Sequence, residues 1–127
     1  PYRGYRGPLP DGAEAPLFRQ ARVCPTINEP TVRLLHGQIN ERVFKVLGSG
    51  GLAAVDAIPA YRDLFGEDEL FVPRNLSEFH AFVDGVLRDE GERRRWVEAG
   101  RRAVLDRHCY VHRARELARH LGFGSLA

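Results

Sequence analysis

The segment from Asn40 to Asp56, NERVFKVLGSGGLAAVD, constrains the fold more than any other stretch of the chain. Val43, Phe44, Val46 and Leu47 recur at the spacing of a helical face, so residues 40–48 read as an amphipathic helix with a wide buried side. Asn40 has the side chain of an N-cap. Gly48, Gly50 and Gly51 end the helix. Leu52–Val55 is continuously apolar and too short for a helix, as expected of a strand covered on both faces. Helix, glycine turn and buried strand in that order form one αβ step of a parallel sheet, and the helix starts of such sheets are natural anion sites.

The flanking segments extend this pattern. Residues 1–14 contain Gly4, Gly7, Pro8, Pro10 and Gly12 and read as loop, with a short strand at Tyr2–Tyr5. Pro16–Ala21 reads as a short helix and Arg22–Ile27 as a strand, in which Pro25 marks an edge, a bulge or a strand end. Asn28–Gly37 is loop. Ile58–Phe65 reads as a short helix and Glu69–Val72 as a fourth short strand, stopped by Pro73. Asn75 with Glu78 forms a capping box, and Leu76, Phe79, Val83, Val86 and Leu87 follow at helical spacing. Asp89 with Glu92 opens a helix over 92–106. Tyr110 opens another over 110–121, with Ala114, Leu117, Ala118 and Leu121 expected to face inward. Parallel neighbouring strands at 22–27, 52–55 and 69–72 are expected, with Leu76, Phe79, Val83 and Trp96 largely buried. The fold class is therefore α/β: a Rossmann-like parallel sheet of about four short strands, then C-terminal helices, with 90–127 as a helical tail.

Composition narrows the function classes. A length of 127 residues allows one domain at most. A net charge of +2 gives little support for nucleic-acid binding. Lys45 is the only lysine, and every other basic residue is arginine. Arg93–Arg95 and Arg101–Arg102 alternate with Glu90, Glu92 and Glu98, which is the pattern of a solvated, ion-paired helix face. No apolar run reaches the roughly 20 residues of a membrane span. Cys24 and Cys109 form neither a disulfide framework nor a zinc pattern, and a cytoplasmic setting is expected. The sequence has no methionine, so the chain is expected to be part of a larger protein or assembly.

Several motifs in order resemble a known family. They are Tyr5-x-Gly7 with Pro10, Leu17-Phe18-Arg19-Gln20-Ala21-Arg22-Val23, Asn40-x-Arg42-Val43-Phe44, Gly48-x-Gly50-Gly51 with Asp56, Glu98–Leu105, and His108-x-Tyr110-x-x-Arg113. The series resembles the C-terminal half of group 1 glycosyltransferases with two Rossmann-like domains (the GT-B arrangement), nearest to the CgeB-type, spore-maturation-like branch. The resemblance covers nearly the whole chain. It implies a partial sugar-nucleotide-binding domain over 1–127, taking a nucleotide diphosphate sugar as donor. The acceptor and any catalytic base would come mostly from an N-terminal acceptor domain, or from another chain that completes the sheet. No metal or other cofactor is expected, and the catalytic residues are not identified.

The resemblance places the donor diphosphate near Gly37, Gln38, Asn40 and Arg42, with Arg42 able to fork onto phosphate oxygens. His36, Lys45, Gly50, Gly51 and Asp56 are further donor-site candidates. A plainer reading stands beside this one: Arg42 is a surface residue, the glycines end a helix, and Asp56 caps a turn. Lys45 departs from the family, which commonly has a glutamate there to accept hydrogen bonds from the donor's ribose hydroxyls. Lysine has no acceptor. Glu41 stands one turn before it and can form an i,i+4 pair with it. An alternative function follows: a degenerate, non-catalytic domain that serves as a scaffold or binding subunit. His108 and His112 have the spacing of a metal pair, but no third ligand is indicated.

Overall fold

The computed structural model of the protein describes residues 7–31 and 38–123. In chain order the elements are α1 (Glu14–Gln20), β1 (Cys24–Thr26), α2 (Arg42–Gly48), β2 (Ala53–Val55), a 3-10 turn (Pro59–Asp63), α3 (Leu76–Arg88), α4 (Glu90–Ala103), a π turn (Val104–His108) and α5 (Tyr110–His120). The strands β1 and β2 are parallel, with Cys24 opposite Ala53 and Thr26 opposite Val55. The α2 helix packs on both strands, on α1 and on α4, while α3 packs on β2 and α4.

The expected αβ step is present. Val43, Val46 and Leu47 are buried on α2, and every residue of β2 is buried. Gly50 takes φ +82°, a left-handed conformation suited to glycine, and this reverses the chain from α2 into β2. Gly51 lies so close to α1 that a Cβ there would come 2.7 Å from the Phe18 carbonyl oxygen. Arg22, expected to begin a strand, instead donates to the Leu87 carbonyl at 2.9 Å, placing a cation on the last turn of α3.

The sheet among the described residues has two strands rather than about four. Residues 69–72 form no ladder. The Glu69 and Leu70 amides turn back to the Gly66 carbonyl at 3.0 and 3.3 Å, and Arg62 takes the Val72 carbonyl at 3.0 Å. Side-chain and turn hydrogen bonds thus replace strand pairing, and Pro73 supplies no N–H to extend it. The expected strand at Tyr2–Tyr5 lies outside the described residues.

Both C-terminal capping signals are observed. The Glu78 amide donates to Asn75 Oδ1 at 3.0 Å and the Glu92 amide to Asp89 Oδ1 at 2.9 Å. Glu78 closes its box on the Arg74 amide rather than on Asn75 itself, at 2.8 Å. Burial differs from expectation on the outer layer. Leu76 is 68% exposed because it is the first residue of α3. Phe79, Val83 and Trp96 are half-buried, and Val86 is the residue of α3 that enters the core. Between α3 and α4, Phe71 stacks on Phe82 at 4.4 Å, and Trp96 meets Phe82 edge-on at 5.4 Å. The α5 helix buries no residue, so Ala114, Leu117 and Leu121 do not face inward as expected. On the arginine-rich face, Glu90 pairs with Arg93 at 2.7 Å and Arg94 at 3.0 Å. These hydrogen bonds pull its carboxyl down to about 2.

Two helical glycines give opposite expectations. A Cβ on Gly100 would lie 2.8 Å from Leu47 Cδ2 and 2.9 Å from the Glu69 carbonyl oxygen, whereas one on Gly85 would meet only Glu92 Oε2, at 3.7 Å. Overpacking costs about 1–3 kcal/mol, more than the roughly 1 kcal/mol that alanine gains over glycine in a helix. Gly100→Ala should therefore lower the urea midpoint and Gly85→Ala should raise it. A stabilised Gly100→Ala would mean that α4 is not seated against the Glu69 backbone.

Candidate functional site

Both strands run into the same polar cluster. Two residues after β1, Asn28 donates from Nδ2 to Asp56 Oδ1 at 2.7 Å and to the Tyr61 hydroxyl at 3.1 Å. Asp56 directly follows β2, and Tyr61 sits on the 3-10 turn. Tyr61 is fully buried, and Asn28 and Asp56 are nearly so. Nδ2 is the amide's only donor group, so contact with a carboxylate fixes the orientation of the Asn28 side chain. Burial pushes the Tyr61 phenol up, partly offset by hydrogen bonds from Asn28 and from the Asn40 main chain. One cluster thus ties together the C-terminal ends of β1 and β2, the 3-10 turn and the segment leading into α2.

Above this cluster lies a cleft of ≈ 290 Å³ lined by Ile27, Asn28, Glu29, Gln38, Ile39, Asn40 and Arg42. Its position outside the carboxyl ends of parallel strands is the usual ligand position in α/β sheets. Three of the expected diphosphate residues, Gln38, Asn40 and Arg42, share this cleft. The fourth, Gly37, lies outside the described residues, as does His36. Asp56 sits beneath the cleft and anchors Asn28.

The opening of α2 is already hydrogen-bonded. The Arg42 amide donates to Asn40 Oδ1 at 2.9 Å, the Val43 amide to the Asn40 carbonyl at 3.2 Å, and the Phe44 and Lys45 amides to the Glu41 carbonyl. The helix begins one residue later than expected, with Glu41 at the N-cap position and no side-chain cap, so Asn40 makes a turn just before it that uses an N–H an anion would want. The Arg42 guanidinium is exposed and makes no ion pair or hydrogen bond among the described residues. Arg42, rather than free backbone amides, is the cleft's cationic group.

The remaining candidates fall elsewhere. Lys45 pairs with Glu41 at 3.0 Å, the expected i,i+4 contact. The hydrogen bond to Glu41 raises its pKa, with the charges of Glu41 and Glu14 adding to the effect. Lys45 lines two other hollows, one against Leu9–Glu14 and one against α5, not the Arg42 cleft. Gly50 and Gly51 precede β2 and so lie at the opposite end of the sheet from Asn28 and Asp56. Asn28 and Tyr61 were missed as site residues. Asn28 had a legible signal, since it follows a predicted strand where a polar side chain reaches the carboxyl edge. Tyr61 had none. Among the described residues, no three His, Cys, Asp or Glu side chains gather as a metal site requires, and no helix is long and apolar enough to cross a membrane.

Tyr61→Phe keeps the buried ring and removes the hydroxyl that receives Asn28. It should cost about 1–2 kcal/mol, the penalty for a buried donor left without its partner. Equilibrium urea unfolding measures this, and an unchanged midpoint would show that the Asn28–Tyr61 bond contributes nothing.

No curated protein and no solved structure matches the chain significantly. A family profile described as "Glycosyl transferase-like" matches residues 2–119. That span includes both strands, the cleft and all of α2–α4, and on this ground the chain belongs to the glycosyl transferase-like family.

Proposed function

We propose that this chain is most of the sugar-nucleotide-binding domain of a two-domain, GT-B type glycosyltransferase, in the CgeB-like branch. It takes a nucleotide diphosphate sugar donor into the cleft lined by Gln38, Asn40 and Arg42. The observation that carries the reading is the Arg42 guanidinium, which has no partner among the described residues and borders a cleft at the carboxyl ends of two parallel strands. As the donor's C1–O bond breaks, negative charge accumulates on the nucleoside diphosphate leaving group. A pre-placed guanidinium stabilises that charge without reorganising. An N-terminal acceptor domain, or another chain beside the sheet, supplies the acceptor and any base.

A second reading, a non-catalytic scaffold or binding subunit, is favoured by Lys45. Its ammonium is paired with Glu41 and offers no acceptor to a ribose. Calorimetry with UDP and GDP separates the two readings. Under the donor reading, Arg42→Ala weakens both nucleotides alike, by roughly tenfold or more, because a charged hydrogen bond contributes about 1.5–3 kcal/mol. Lys45→Glu tightens binding by restoring an acceptor. If Lys45→Glu leaves affinity unchanged or lower with the fold intact, the ribose does not lie at Lys45. If neither nucleotide binds the wild type or this variant, even with the N-terminal half present, the scaffold reading replaces the donor reading.

A further inference from the structure

His108 is held by partners that admit a single protonation state. Nε2 lies 3.0 Å from the Leu64 carbonyl oxygen, which can only accept. Nδ1 lies 2.9 Å from Nη2 of Arg113, which can only donate. The ring therefore carries its hydrogen on Nε2 and keeps a lone pair on Nδ1. A second proton would sit on Nδ1, facing the guanidinium N–H. The hydrogen bond would give way to repulsion between two cations. The ring is half-buried against Phe65 at 4.9 Å and Phe44 at 5.5 Å, so little water is at hand to solvate an imidazolium.

The seating of α5 depends on this contact. The helix buries none of its residues and packs chiefly on the π turn. Arg113 is the α5 side chain that reaches back, donating also to the Arg107 carbonyl at 3.1 Å while pairing with Glu116 at 2.6 Å. Tyr110 and Arg113 wall one side of a groove of ≈ 590 Å³, and Ile39, Phe44, Leu64 and Val104 form its other walls.

We propose that His108 is a protonation latch for α5: its neutral ring ties the helix to Leu64 through Arg113, and protonation releases the helix and opens the groove. This does not depend on the donor reading of the Arg42 cleft. Burial, the largest influence, holds the ring below the ordinary imidazole range. The Leu64 carbonyl opposes this, and Arg113 and Arg107 reinforce it. Glu69 favours the charged form but is paired with Arg107. From α2, Glu41 and Lys45 face the same groove as an ion pair. The seated state binds the proton more weakly than the released state. Seating is therefore at full strength above pH about 6.5 and is lost as the pH falls below it.

Two other histidines on α5 need controls. His112 Nδ1 accepts the Cys109 amide at 3.1 Å, a contact that closes the cap of α5 on itself. His120 Nδ1 faces the Glu116 carbonyl at 2.9 Å, a bond that either protonation state can make.

Hydrogen exchange of the whole chain from pH 7.5 to pH 5, corrected for intrinsic rates, tests the latch. Amides of residues 111–120 should lose protection by up to about tenfold per pH unit below pH about 6.5, while those of α2 hold theirs. His108→Gln supplies a non-titrating acceptor and donor, so it should keep protection at pH 7.5 and lose the pH response. His112→Gln should keep the wild-type response. The His108 ring, titrated by NMR in the wild type, should have its midpoint within the exchange transition. Protection independent of pH in the wild type, a response that persists in His108→Gln, or a response abolished only by His112→Gln would each overturn the proposal. So would a ring midpoint outside the transition.

Discussion

The structure depends on one short strand being buried on every side. Ala53, Ala54 and Val55 pair with β1 along one edge and are covered by α2 and α3. Two three-residue strands make too few hydrogen bonds to persist alone. Apolar burial by the helices holds them in register, and the small side chains of β2 permit close helix approach. The same economy of side chains recurs at Gly100, where α4 lies against Leu47 and the Glu69 backbone with no room for a Cβ.

The carboxyl end of this sheet is where its chemistry gathers. A buried carboxylate, amide and phenol at Asp56, Asn28 and Tyr61 would each be costly to bury alone, and the two hydrogen bonds from Asn28 Nδ2 offset part of that cost, while Asn28 Oδ1 has no hydrogen-bond partner among the described residues. The cluster supports the residues that line the Arg42 cleft. Arg42 and Lys45 stand three residues apart on α2, yet their surroundings differ. Lys45 is neutralised by Glu41, while the Arg42 guanidinium makes no ion pair among the described residues and shares its cleft with Glu29.

Outward from β2 the packing loosens in steps. The α2 helix buries three of its seven residues. The α3–α4 pair meets through the half-buried rings of Phe71, Phe82 and Trp96. The α5 helix buries no residue and is joined by polar contacts through Arg113 and His108. An element fastened by hydrogen bonds responds to protonation in a way that an element fastened by apolar area does not, because the charge state of one ring decides whether its bond forms.

Local chemistry was legible in the chain itself. The caps at Asn75 and Asp89, the Asn40 turn, the glycine reversal at Gly50, the Glu41–Lys45 pair and the buried strand after Leu52 all depend on neighbours within a few residues, and short-range spacing encodes them. The glycosyl transferase-like family, though not its branch, was legible too, since the ordered motifs span nearly the whole match. What escaped depends on partners distant in sequence. Residues 69–72 have strand-like composition, but Gly66 and Arg62 take their polar groups. Leu117 and Leu121 repeat at core spacing, but a helical period says only that a face exists, not that anything covers it. Tyr61 lies 33 residues from Asn28, and Leu64 lies 44 from His108. Only the tertiary fold brings such pairs within hydrogen-bond reach, and thereby decides which polar side chains anchor the cleft and which one latches the last helix.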